Sequence, residues 1–528
     1  VKHWLEQYSI DMKIADTERA LILKTFERVI TVLLLLLLAS VILMHFLHIE
    51  ADSVGLLIAS QWCEDVGINA SNVRCLEILN SDRMSLAQGV SLALFLFVIA
   101  LTVIKMEYRV AAALLAMAVL IATGIALPQR IITVVSWNLI LFLIGAMTLA
   151  GILRALGIFR YLALKMLELS KGRAVLLIVL LSLLSYALAA TLDEVTSIVY
   201  VSMLVLEIAS IAHIDVVPLL ILCVLATNTG SSAMPIGNPI GVYLLFKTNM
   251  SMSMFIKTTL PLSLADLALL LAVFTPLERG FIRTLDESLK KFAHRIEAYV
   301  TRYRMELRTG NSEARRMLLG LGVLLAFILT IAFNDFIVQE LSKLYNTYID
   351  PHAFLAFIPY LFIVMLIGAI SMEDVSKFVE KAVEWPSILF FVFLFMLSYT
   401  LTCTGVMAKL AYAFAHAVSS PLGLLSVMLL ASATLSAVLD NLSVVVTFTP
   451  ISMLFNKIGL ANSLIYFALL FGGVFGGNYT PIGSTANIVA IGLAEKRKIK
   501  IAWGTWLRLA FVTTTLQIVI ALLYLYII

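Results

Sequence analysis

The chain has 528 residues, 61% hydrophobic and only 13% charged, with a formal net charge of +4 and a mean hydropathy of +1.02. Soluble globular chains carry about 25% charged residues. Windows such as 29–49, 131–153 and 388–407 hold no charged side chain over the roughly 18 residues that a bilayer core demands. This excludes a soluble protein, makes lipid the solvent and gives no reason to expect a nucleic-acid partner; the expectation is an all-α polytopic membrane protein.

From the N-terminus, residues 1–28 hold five Lys and Arg, while segment 49–85 holds two against six acids. Lys and Arg collect on the cytoplasmic side, so the N-terminus is expected inside a plasma membrane. The apolar run after it has no small-residue cleavage site close behind and is read as a retained helix. Cys63 and Cys75 share the outward segment, where a disulfide can form, though both bridged and free pairs fit the sequence. The same segment holds Asn69-Ala-Ser71, a glycosylation sequon common by chance. Cys223 and Cys403 lie in apolar runs and are read as small buried hydrophobes.

The loop 154–173 holds five basic residues and the stretch 277–316 holds ten against six acids, so both are read as cytoplasmic. Three apolar blocks lie between them (174–211, 214–247 and 251–276) and must cross an even number of times. The parity closes if the first block is a re-entrant hairpin turning at Asp193-Glu194. The same logic makes 421–457 a hairpin turning at Asp440-Asn441. About eleven crossings and two hairpins result. Charge buried at such tips costs a few kcal/mol even on lenient insertion scales, and irregular backbone at that depth is tolerated only inside protein or along a cavity. Each tip is therefore expected at a binding site.

The chain is internally duplicated. Trp137 pairs with Trp385 and Gly157 with Gly405 at an offset of 248, Asp193 with Asp440 at 247, and the Pro-Ile-Gly triplets at 235 and 481 at 246. Five crossings per unit would invert the second unit relative to the first. The expected organisation is an N-terminal segment, first helix and external loop over 1–85, transport repeat 1 over 86–276, a cytoplasmic amphipathic linker over 277–316 and an inverted transport repeat 2 over 317–528. Alternating-access transporters are built this way, with their site near the midplane where the repeats meet.

After each hairpin comes a Gly- and Pro-rich interruption of an apolar helix, "ATNTGSSAMPIGNPIG" from 226 and "FGGNYTPIGSTANIV" from 475. Freed carbonyls can coordinate Na⁺, and half-helix N-termini at Asn238 or Thr485 favour an anion. Proline kinks that merely relieve packing are the plainer reading, which two copies at the repeat offset make much weaker.

"LDEVTS" followed by "NTGSSAMPIGNP", and "LDNLSVVVTFTPI" followed by "GGNYTPIGSTANIVAIGLAEK", resemble the ion transporter superfamily. The resemblance is to its arsenite permease and NhaD-type antiporter branch, with P-protein-like permeases, and more distantly to citrate and dicarboxylate symporters. It covers nearly everything beyond about residue 85 and implies a secondary transporter. Carried over by position, it implies substrate and ion contacts at Thr191, Asp193, Glu194 and Thr196, with Asn228, Gly230 and Asn238 in the first broken helix. For the second half it implies Asp440, Asn441 and Ser443, with Asn478, Thr480, Ser484 and Asn487. A Na⁺ near Asp193 and Asp440 is part of the same implication. This chain departs from the family's usual Asp-Asn at the first tip, where Glu194 replaces the amide. Adjacent carboxylates do not readily share full ionisation, so one is expected to carry a proton. The dicarboxylate branch's Ser-Asn-Thr signature occurs only as Thr227-Asn228-Thr229, away from the tips, which ranks carboxylate substrates lower.

Asp266 lies midway along an apolar helix. The simpler reading is a polar residue hydrogen-bonded to a neighbouring helix, and the functional one a proton relay. The linker places Phe281, Leu285, Phe292, Ile296, Tyr303 and Leu307 near helical spacing among Lys and Arg, as in a helix lying on the inner membrane surface, with a homodimer contact the weaker option. None of the seven histidines falls in the motifs, and P-loop, HExxH and GxSxG patterns are missing, so neither an enzyme nor a cofactor beyond a coupling H⁺ or Na⁺ is expected. The leading function is cation-coupled transport of a small inorganic ion, whether oxyanion or arsenite-like solute. Na⁺/H⁺ antiport competes with it, and an ion channel is the rival from another class.

Overall fold

A computed structural model describes residues 31–294, 297–298, 300–302, 305, 311–367, 369–418 and 420–528. Among them the regular structure is helical throughout. The N-terminal 28 residues lie outside the described residues, as do Ile296, Tyr303 and Leu307 of the linker. The helices fall into two compact units, one of residues 1–134 with 393–413 and one of 135–392 with 414–528.

The first unit contains α1 (Thr31–Phe46), α2 (Ser53–Val66), α3 (Asn72–Leu79), α4 (Asp82–Ile104), α5 (Arg109–Ala122) and α6 (Pro128–Thr133). A disulfide joins Cys63 of α2 to Cys75 of α3, so the bridged alternative is the one realised. Asn69 lies exposed in the loop between them. Residues 393–413 are tied to this N-terminal segment by several hydrogen bonds: Trp62 Nε1 donates to Thr402 O at 2.9 Å and Tyr412 Oη to Asp52 Oδ2 at 3.2 Å. Lys409 is fully buried, and its Nζ donates to Met44 O at 2.7 Å, capping the last turn of α1 where carbonyls lack helical partners.

The second unit begins with α7 (Trp137–Ala155), α8 (Ile158–Leu169), α9 (Ala174–Thr191), α10 (Glu194–Ala212), α11 (Val217–Ser231), α12 (Pro239–Thr248), α13 (Met252–Leu277) and α14 (Arg279–Lys291). It continues with α15 (Asn311–Ala332), α16 (Asn334–Tyr345), α17 (Pro351–Leu366), α18 (Met372–Ala382), α19 (Trp385–Cys403), α20 (Val406–Ala417), α21 (Pro421–Ser436), α22 (Asn441–Lys457), α23 (Leu464–Gly476), α24 (Thr485–Lys496) and α25 (Trp503–Ile527), although 393–413 belong to the first unit. Among the described residues seven helices are long and apolar enough to cross a membrane, and four more apolar helices are shorter. The shortest of the seven is α9, with 18 residues. At 1.5 Å per residue it spans about 27 Å, just under a hydrocarbon core of about 30 Å.

The duplication read from sequence reappears in local structure. Helices α7 and α19 each start on the tryptophan and run 19 residues. Gly157 and Gly405 follow at φ +76° and +84°, a region that favours glycine, and each leads into a 12-residue helix. Close packing repeats as well. A Cβ on Gly230 would meet Tyr186 O at 2.3 Å, and one on Gly476 would meet Ala433 O at 2.3 Å. Glycine thus lets α11 lie directly on α9, and α23 on α21, which are the two most extensive helix pairings in the chain. The cross-packing is reciprocal: α10 rests on α24, and its counterpart α22 rests on α12.

Part of the expected linker is a helix, α14. The stripe on α14 is covered by protein, with Leu285 and Leu289 fully buried and the helix packed on α9 and α10. Asp286 Oδ1 accepts the free first amide of α9, Ala174 N–H, at 3.1 Å. A helix N-terminus with no cap of its own and an apolar stripe with two leucines find each other, which no spacing rule reveals.

Candidate functional site

Both hairpins turn where the carboxylates stand, and the turns are built alike. Helix α9 ends at Thr191, and Asp193 caps α10 by accepting Thr196 N–H at 3.0 Å and Thr196 Oγ1 at 3.2 Å. Asp440 caps α22 by accepting Ser443 N–H at 3.3 Å and Ser443 Oγ at 3.4 Å. An aspartate with a hydroxyl residue three positions on satisfies the free amides of a helix start. The paired aspartates therefore have a structural role as well as a charge. Thr191 is turned back onto its own helix, its Oγ1 donating to Ala187 O at 2.7 Å.

The two breaks lie where the sequence places them, between α11 and α12 and between α23 and α24. Asn238 is spent on closing the first: its Nδ2 donates to Ser231 O at 2.8 Å and its Oδ1 accepts Gly241 N–H at 2.7 Å. Ser484, at the matched position, caps α24 by accepting Ala486 N–H at 3.2 Å, so the second half-helix begins at Thr485. Thr480 Oγ1 donates to Ala437 O, pinning the second break to the end of α21.

Between the breaks is a buried cluster of amides. Asn228 Nδ2 donates to Asn478 Oδ1 at 2.6 Å and to Asn487 Oδ1 at 2.9 Å, and Asn228 Oδ1 accepts Ser484 Oγ at 3.3 Å. Asn487 Nδ2 in turn donates to Gly477 O at 2.9 Å and Thr480 O at 2.8 Å. Both tips reach the cluster. Ser231 Oγ stands 3.4 Å from Glu194 Oε2 and 2.9 Å from Asn228 O. On the other side, Ser436 Oγ donates to Asn441 Oδ1 at 2.5 Å, and a Cβ on Gly477 would lie 2.5 Å from that same oxygen. Asn441 Nδ2 and Asn478 Nδ2 are buried donors without a hydrogen-bond partner. An unpaired buried donor costs about 1–3 kcal/mol, so these atoms are the ones a ligand would satisfy.

Glu194 is buried at this junction, within electrostatic reach of Asp193, Asp440 and Glu384. Glu384 is a residue that the sequence reading missed. It precedes α19, far from either motif, and no spacing links it to the tips. Ser231 and Ser436, each at the C-terminal end of a helix, were also missed, although their positions beside the two breaks could have drawn notice. Asp266 departs from its simpler expectation: it is fully buried on α13, but neither carboxylate oxygen has a hydrogen-bond partner.

The chain is similar to known proteins over much of its length. The citrate transporter family profile matches residues 94–472. An uncharacterized transporter of Mycobacterium bovis is 28% identical over 402 residues, 75% of this chain and 86% of the relative. The human P protein is 25% identical over 496 residues, 83% of this chain and 59% of the relative. The YdaH transporter of Alcanivorax borkumensis superposes at a TM-score of 0.48 and 14% identity, over 73% of this chain and 84% of that one. With the family profile covering most of its length, this chain belongs to the citrate transporter family of membrane transporters.

Proposed function

We propose that the protein is a secondary active transporter of a small inorganic ion, an oxyanion or arsenite-like solute, coupled to H⁺ or Na⁺ by alternating access. The observation that carries this reading is the amide cluster in which Asn228 of one broken helix holds Asn478 and Asn487 of the other. A site shared by two breaks changes its exposure whenever the halves move against each other. The buried amide donors suit an oxygen of the transported ion. The hairpin carboxylates Asp193, Glu194 and Asp440 suit the coupling cation, H⁺ or Na⁺. The charge asymmetry of the loops supports a multi-pass protein of the plasma membrane with a cytoplasmic N-terminus.

Na⁺/H⁺ antiport is the second reading, favoured by the electrostatic interaction of Glu194 with three other carboxylates, Asp193, Asp440 and Glu384. Purified protein in liposomes separates the readings. An imposed proton or sodium gradient should drive uptake of arsenite or an oxyanion under the first, and cation exchange without it under the second. Flux that ignores both gradients would mean a channel and overturn both.

A further inference from the structure

An ionisable side chain inside a bilayer is expensive, and structures retain one where something uses it. Asp266 sits near the middle of α13, fully buried, with both oxygens unpartnered and no cation within ion-pair distance among the described residues. One turn before it, Ser263 Oγ shares a 2.7 Å hydrogen bond with Tyr186 Oη of α9, in which either hydroxyl can donate. One turn before Tyr186, on the same face of α9, Ser182 is also fully buried with its hydroxyl unpartnered. The segment that follows the end of α13 holds the first amide of α9, through Asp286 and Ala174 N–H at 3.1 Å, so α13 ends where α9 begins and Ser182 and Asp266 lie one turn to the same side of the Tyr186–Ser263 bond. Two unsatisfied polar groups thus share one level of an apolar helix pair.

We propose that Asp266, with Ser182 and the Tyr186–Ser263 pair, forms a proton-binding site between the first hairpin arm and α13, separate from the hairpin tips. An unpaired carboxylate in an apolar interior costs several kcal/mol as the anion, whereas the neutral acid does not, so in this conformation the site holds its proton. The proton resides on one Oδ atom and leaves from it when water or a rearranged hydroxyl pair reaches the group. Tyr186 is also the residue on which Gly230 rests, so the hydroxyl next to Asp266 belongs to the segment that supports the first helix break. Loss of the proton creates an anion beside that segment, and movement of α9 is the way to hydrate it.

Among the described residues no ion pair joins Asp266 to a charge on the other elements packed on α13; those of α14 follow the end of α13, where Lys290 pairs with Asp286 at 2.6 Å. Helix α11 has Cys223, placed against Ser185. Arg508 of α25 is paired with Glu278 beyond the far end of α13. The charged residues of α15 lie in its first turns, at 313–316. On α16, Asp335 accepts Ser253 N–H at 2.9 Å near the start of α13. Tyr186 is the titratable group that interacts with Asp266.

The test reads the proton itself and needs no substrate, so it stands apart from the transport assay. Protein carrying isotope-labelled aspartate, reconstituted in nanodiscs, should show a protonated carboxylic acid band in the infrared at neutral pH. Asp266→Asn should abolish that band, and acidification from high pH should then load one proton fewer per chain. An unchanged band in Asp266→Asn, or no such band in the wild type, overturns the proposal. Should Asp266→Asn fail to fold, Asp266→Glu in the same labelled protein must remove the aspartate band, and its persistence would be equally fatal. A proton found at Asp266 in a protein that fails every transport assay would sink the proposed function and leave this site standing.

Discussion

Asn228 donates a 2.6 Å hydrogen bond to Asn478, a residue 250 positions further along the chain. It thereby fastens one helix break to the other. Replacing Asn228 by Ala strands two amide oxygens and a serine hydroxyl in the interior. Each unsatisfied group costs about 1–3 kcal/mol. Asn228→Ala is therefore expected to lower the thermal unfolding midpoint of the purified protein and to abolish transport. Asn69→Ala, in an exposed loop, is the control and should change neither.

The glycine contacts give a stability prediction independent of any substrate. A Cβ on Gly476 would lie 2.3 Å from Ala433 O, a backbone atom that cannot step aside. Gly476→Ala should destabilise by about 1–3 kcal/mol through forced backbone shifts. Gly492, with nothing within 4 Å of its would-be Cβ, is the matched control. An Ala there should leave stability unchanged or slightly raised, as Ala restricts the unfolded chain. Equal unfolding midpoints for Gly476→Ala and Gly492→Ala would remove the close-packing argument.

Much of this arrangement was legible in the chain. The offset near 247 located both hairpin turns and both breaks, because Asp at a helix start and Pro-Ile-Gly at a break act through local chemistry. What failed to show was tertiary. Glu384 approaches the tips across a long sequence distance, with no motif of its own. The stripe on the linker read as membrane-facing because Leu285 looks the same whether lipid or protein covers it. The docking of residues 393–413 on the N-terminal helices crossed the repeat boundary that the offset suggested. Lys409, alone in an apolar run, has its partner in Met44 O of α1, which no spacing ties to it.

The Cys63–Cys75 disulfide closes a loop across 12 positions. Bridges of this span stabilise by about 2–4 kcal/mol, chiefly by restricting the unfolded chain. Reduction, or Cys63→Ser with Cys75→Ser, should lower the unfolding temperature of the protein. A membrane-impermeant thiol reagent should label these positions in intact cells only after reduction. Labelling without reductant would show that the pair is not bridged in the cell.

Asp286 gives the linker a pH dependence whose sign can be worked out. Its hydrogen bond from Lys290, and then the Ala174 amide, hold its carboxyl below the usual value of 3.8. A carboxylate favoured in the folded state contributes stability above its unfolded value of about 3.9, and that contribution is lost as pH falls through the lower folded value. Asp286→Asn should therefore be less stable than wild type at neutral pH. The gap should stay constant on acidification to about pH 5 and close below about pH 4. A gap that persists into strong acid would assign the loss to packing instead.

The resemblance read from the sequence implies an amide where this chain carries Glu194, which is buried at the junction of the tips and the first break. Asp193 precedes it, and Asp440 and Glu384 interact with it electrostatically from other elements. Glu194→Asn leaves an amide able to meet Ser231 while removing the titrating group. It should keep binding of the transported ion and flatten the pH dependence of transport. Glu384→Gln acts differently, because Glu384 is exposed before α19 and reaches Glu194 only through its charge. Glu384→Gln leaves Glu194 and its Ser231 partner in place, so the pH dependence of transport should persist. Rates measured in liposomes across a pH series would decide between them. If Glu194→Asn keeps the wild-type profile, the titration belongs to another group, and Asp266 is the one to replace next.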